Sequence, residues 1–103
     1  MDGCIGHITT KDKTEALAIG RALVEKKLIA CANVSGPIHS IFRWEEKIET
    51  AEEYLLLVKC TKKQKDKIIS VVKALHSYSC PCIVFYDMHG GNPDYMKWIA
   101  DSV

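Results

Sequence analysis

The sequence predicts an α+β fold, one antiparallel sheet with helices on a single face. Three observations carry that expectation. Stretches with strand character and stretches with helical apolar spacing follow one another as β-α-β-β-α-β, with a short helix at the end. The second and third strands are long for a chain of 103 residues. Capping signals mark the start of each helix.

Cys4 to Thr9 mixes small, apolar and β-branched residues and predicts an opening strand. Asp12-x-x-Glu15 is a capping box for a helix over Lys13 to Lys27. Its apolar stripe is Ala16, Ile19, Gly20 and Leu23, and Lys26 and Lys27 fall in its last turn, where cations suit the dipole. Ile29 to Val34 is the second strand. Ser35-Gly36-Pro37 reads as a bend or bulge within it, not a stop. The strand resumes at Ile38 with Ile38, Ser40, Phe42 and Trp44 on one face and His39, Ile41 and Arg43 on the other.

Glu45-Glu46-Lys47 forms the turn, and without Gly or Asn it does not signal a tight primed turn. Ile48 starts the return strand, whose apolar run Tyr54 to Val58 predicts burial on both faces. Thr61-x-x-Gln64 caps a second helix with Ile68, Val71, Val72 and Leu75 as its stripe, ending near His76. The last strand is expected from about Cys80 to Cys82 through Tyr86. Asn92 and Pro93 open a short helix that packs through Tyr95, Trp98 and Ile99. This order is the ferredoxin-like plan in a single domain, residues 1–103. Its uncovered sheet face and long hairpin both need a partner, and self-association is the simplest provider.

Composition excludes several classes. The net charge of +1 gives no bulk attraction to nucleic acid or acidic lipid. The cluster Lys62, Lys63, Lys65 and Lys67 reads as a solvated helix start. No apolar stretch approaches the ~20 residues that span a bilayer, so no membrane insertion is expected. Met1-Asp2-Gly3 reads as an untargeted start, and five cysteines, an odd number, argue against a disulfide framework. A cytoplasmic location follows as an expectation.

Several residues could carry chemistry. His76 with Cys80-Pro81-Cys82 looks like half of a metal site, since thiolates and imidazole suit copper or zinc. The bland reading makes the cysteines small apolar fillers. Trp44 at a hairpin tip has to pack on a second subunit or line a cleft. Lys59, after an apolar run, either snorkels to the surface or presents its ammonium to an anionic ligand or to Glu53. A cysteine nucleophile, Cys31 or Cys82, would need an adjacent imidazole. No phosphate loop, serine elbow or paired-carboxylate motif is present, so no enzymatic activity is expected.

Taken in order, these segments resemble one family. The matching residues are Ala16 and Leu23-Val24, Leu28-Ile29-Ala30-Cys31-Ala32-Asn33-Val34, Ser40-Ile41-Phe42-Arg43-Trp44 and Lys47-Ile48-Glu49. They continue with Glu53, Leu55-Leu56-Leu57-Val58-Lys59, His76, Tyr78, Pro81, Ile83, Tyr95 and Trp98-Ile99. Nearly the whole chain is similar to the CutA family, the divalent-cation tolerance proteins.

The resemblance implies a trimer in which long hairpins extend each sheet into its neighbour. It also implies a likeness to the PII signalling trimers, whose ligands bind between subunits, and an association with copper and other divalent metals. It makes Cys31 a candidate thiol ligand and sets His76, Tyr78, Trp44 and Lys59 on family positions. Three positions depart from the family pattern. Ser77 replaces a proline, Glu46 replaces a turn glycine and Cys82 replaces a glutamate.

Two functions from different classes are therefore expected. One is a homotrimeric copper or divalent-cation tolerance protein holding metal through Cys31, His76 and Cys82. The other is a PII-like module binding a small anionic ligand in a cleft lined by Trp44, Glu53, Lys59 and Tyr78.

Overall fold

The structure is a computed structural model and describes residues 2–103, so Met1 of the expected untargeted start lies outside it. Four antiparallel strands form one sheet, β1 (Gly3–Thr10), β2 (Cys31–Trp44), β3 (Lys47–Thr61) and β4 (Ile83–Asp87), in the order β2-β3-β1-β4. This is the order that two interleaved β-α-β units produce. The helices are α1 (Lys13–Glu25), α2 (Lys65–Leu75) and α3 (Pro93–Asp101), and a 3₁₀ turn over Lys62–Gln64 leads into α2.

The core lies between one sheet face and α1 with α2. Cys4, Ile8, Leu56, Val58 and Cys60 from the sheet meet Ala16, Ile19, Leu23, Ile68 and Val72 from the helices. Gly20 is part of the α1 stripe because space is short, as a Cβ there would stand 3.1 Å from that of Ala32. Alternation fixes the other face. Leu55 and Leu57, which alternate with the buried Leu56 and Val58, are only half-buried. The run expected to be buried twice is thus buried once within the chain, because α1 and α2 share one side. Tyr95 of α3 reaches Lys59 and Cys31 on the opposite face, so α3 covers part of it.

Other elements differ from expectation for local reasons. Helix α1 stops at Glu25, not at Lys27. Lys27 takes a left-handed φ of 58°, its amide bonds Val24 O and that of Leu28 bonds Leu23 O. This is a Schellman motif with lysine in the usual glycine position, a stop that composition does not signal. The Glu15 carboxylate reaches the amide of Lys11, not that of Asp12. Leu75 is 50% exposed at the end of α2, so the stripe closes at Val72.

Strand β2 starts at Cys31, after Ile29 has entered the core, and shifts register between Ser35 and Ile38 as expected. Strand β4 starts at Ile83, which leaves Cys80 and Cys82 in the loop before it and not on one strand face.

The hairpin carries the largest surprise. Trp44 pairs with Lys47, leaving a two-residue turn with Glu45 at φ 49° and Glu46 at φ 65°. Positive φ at both positions is the primed turn whose twist matches the strands. The ladder on either side imposes it on residues that do not favour it. Strand β1 pairs with β3 only from Tyr54 to Thr61. Lys47 to Glu53 and Ile38 to Trp44 therefore form a two-stranded ribbon projecting past the sheet, and the molecule is 44 Å long against 25 Å and 22 Å across.

A lysine in the left-handed region costs about 1 kcal/mol relative to glycine. Lys27→Gly should therefore raise the melting temperature by roughly 4–8 °C in a thermal scan. An unchanged or lower value would remove the strain assigned to the α1 terminus.

Candidate functional site

A cleft of about 660 Å³ opens where the ribbon leaves the sheet. Ribbon residues Phe42 and Trp44 form one wall, Glu53 and Thr9 the floor, and the loop before β4 supplies Tyr78 and Cys82. The cleft face is the one that strand alternation predicted for Ser40, Phe42 and Trp44.

Glu53 is 7% exposed, and its Oε2 accepts the Tyr78 hydroxyl proton at 2.8 Å. Burial, and then the hydrogen bond to Glu53 and its charge, push the Tyr78 phenol up to about 12. Burial also raises the Cys82 thiol, the Glu53 charge adds to this, and a hydrogen bond with Thr9 offsets only part.

His76 builds the loop that carries Tyr78. Its side chain is fully buried. Nδ1 accepts the Tyr78 amide at 3.0 Å, so Nε2 carries the proton and donates it to Thr9 O at 2.8 Å. The ring thus ties the end of α2 to the end of β1 and turns Tyr78 toward Glu53. Glu15 completes the anchor by accepting the Ser77 amide at 2.9 Å and the Lys11 amide at 3.2 Å. Burial alone would raise the Glu15 carboxyl, but hydrogen bonds from Ser77 and Lys11 and the nearby His76 outweigh it and hold it below its usual range.

The two expected site sets fare differently. Trp44, Glu53 and Tyr78 meet in the cleft. Lys59 does not, because its ammonium bonds Asn33 Oδ1 and the Tyr95 hydroxyl, each at 3.3 Å. It stands six residues along β3 from Glu53, about 20 Å in an extended strand.

Of the metal set, Cys82 lines the cleft, His76 has both nitrogens engaged, and Cys31 sits beside Lys59 with its sulfur 3.4 Å from the Tyr95 hydroxyl. Among the described residues no three His, Cys, Asp or Glu side chains gather as a metal site, and no buried side-chain nitrogen or oxygen lacks a partner. Cys31, His76 and Cys82 therefore do not fit a metal ion within one subunit.

Sequence reading missed Glu15 and Thr9 as positioning residues. Glu15 was legible as a cap, but nothing local signals a bond to Ser77, which is 62 residues away.

Comparison with known proteins settles the family. The profile described as "CutA1 divalent ion tolerance protein" matches residues 4–102. The chain belongs to the CutA1 divalent ion tolerance family.

Among CutA relatives, the divalent-cation tolerance protein CutA of Archaeoglobus fulgidus is 40% identical over 97 residues, covering 94% of each chain. Its solved structure, named as a periplasmic divalent cation tolerance protein, superposes with a TM-score of 0.93 at 38% identity over 97% of each chain. The structure of the divalent cation tolerance protein from Thermus thermophilus gives a TM-score of 0.95 at 37% identity, again over 97% of each. The CutA homolog of Xenopus laevis is 36% identical, and the chain spans 64% of that protein's length.

An unfolded tyrosine titrates near pH 10, and Tyr78 in the fold is raised above that. Folding favours the neutral phenol, so this contribution is complete below about pH 10 and is lost as pH rises toward 12. Ultraviolet titration should resolve a late tyrosine, and Glu53→Gln should move it down by the part of the shift that Glu53 supplies, with burial holding the rest. A late tyrosine that ignores Glu53→Gln would contradict the assigned pairing.

Proposed function

We propose that the protein acts in divalent-cation tolerance as a non-catalytic homotrimer in the cytoplasm, taking copper or another divalent cation into the Glu53–Tyr78 cleft. The observation that carries this reading is the buried Glu53 carboxylate at the floor of an open cleft. A buried carboxylate is costly unless paired, and here its visible partner is a neutral phenol. A cation supplies the missing positive charge.

Cys82 is a further donor the chain brings to the cleft, and its raised thiol makes cation uptake proton-linked. Glu49 and Cys80 also line the cleft, yet among the described residues no three such side chains gather as a metal site, so one subunit falls short of the four donors that copper or zinc commonly takes. The remainder come from a second copy, for which the bare ribbon beside the cleft is the natural contact. The five free thiols fit a reducing compartment.

The small-anion reading is weaker. The carboxylate of Glu53 would repel an anion in this cleft, and Lys59 lies elsewhere on the sheet.

Copper(II) titration followed by tryptophan fluorescence and by calorimetry tests the proposal. Wild type should bind with quenching of Trp44, and Glu53→Gln should weaken affinity about tenfold or more, roughly 1.4 kcal/mol. Cys31→Ser should leave affinity unchanged. Loss of binding in Cys31→Ser with no effect of Glu53→Gln would move the site away from the cleft and refute the proposal.

A further inference from the structure

Cys4 and Cys60 play no part in the cleft. They face each other across the central strand pair, in register on β1 and β3, and both are fully buried. Their sulfurs stand 3.1 Å apart. A disulfide has an S–S length near 2.05 Å, so bonding requires a closure of about 1 Å. Directly opposed residues in an antiparallel pair have Cα atoms ~4.5–5.5 Å apart, inside the range a disulfide accepts. The backbone register therefore already supplies the geometry that a cross-link needs.

We propose that Cys4 and Cys60 are a latent disulfide, a dithiol that a small-molecule disulfide of the glutathione class converts into an intramolecular staple between β1 and β3. The thiolate of one cysteine attacks a sulfur of the oxidant, whose S–S bond breaks and releases one thiol. The other cysteine then attacks the protein sulfur of the mixed disulfide and expels the second thiol. The pair loses two electrons and two protons, and the oxidant takes up both. A glutathionyl group has no room in the packed core, so the mixed disulfide resolves by closing the bond.

Access sets the rate. Burial, reinforced by the neighbouring Cys4, raises the Cys60 thiol, which disfavours its thiolate in the closed fold. The pair sits one residue in from Gly3, the first residue of β1, and from Thr61, the last of β3. Opening of that sheet end exposes both sulfurs together. Oxidation is gated by this opening and accelerates in sub-denaturing urea. Once formed, the bond closes a long loop around α1 and the hairpin, which restricts the unfolded chain. The inference is independent of which ion the cleft takes.

The test incubates the reduced full-length protein with glutathione disulfide in low urea, alkylates the remaining thiols and maps the peptides. The expected result is a Cys4–Cys60 link, a mass loss of two hydrogens, and a melting temperature raised by at least about 5 °C and restored by dithiothreitol. Neither Cys4→Ala nor Cys60→Ala should show the link or the rise, and either one serves if the other does not fold. Alkylation of Cys4 and Cys60 as free thiols while Cys31, Cys80 or Cys82 carry all the glutathione would overturn the proposal. So would a Cys4–Cys60 link that lowers the melting temperature.

Discussion

Both long helices lie on the same side of the sheet, and the rest of the molecule follows from that placement. A sheet covered on one face buries alternate residues only. Leu56, Val58 and Cys60 reach the core, while Leu55 and Leu57, which alternate with them, stay half-exposed. Helix α3 covers part of the second face. The ribbon beyond Tyr54 has no third strand and no helix, and its Ile41 and Ile48 are 77% and 70% exposed. A two-stranded ribbon of this kind is marginal in water by itself. Packing against another copy would supply the apolar contact that the chain lacks.

The cleft exists because the same ribbon diverges from the sheet next to the loop before β4. His76 gives that loop its shape. A histidine whose two nitrogens bond Thr9 O and the Tyr78 amide is a scaffold residue, and its chemistry is spent on position. The group it positions, Tyr78, donates its hydroxyl to the buried Glu53. Cys82 adds a soft sulfur to a cleft that Glu53 and Glu49 also line.

Legibility in the sequence tracked the range of the forces involved. Period and capping are local, so the order of elements, the α1 stripe through Leu23 and the bulge at Ser35 to Ile38 were all readable. Features imposed from a distance were not. The Glu45-Glu46 turn takes left-handed dihedrals because a long ladder on both sides demands them, against the preference of glutamate. The stop at Lys27 is set by carbonyls of the preceding turn. Residue type and the family resemblance together grouped His76 with Cys31 and Cys82, yet the topology sends Cys31 to the α3 end of the sheet. Trp44, Glu53 and Tyr78 line one cleft because strand alternation and a helix-to-strand joint place them near one another. Lys59 shares the face of Glu53 but not its end.

Sedimentation equilibrium across a wide concentration range tests the proposed dependence of this subunit on copies of itself. Three 11.6 kDa chains in one particle are expected, persisting on dilution until the fold itself is lost. A single 11.6 kDa species that melts cooperatively at low concentration, with both tryptophans emitting as in water, would contradict it.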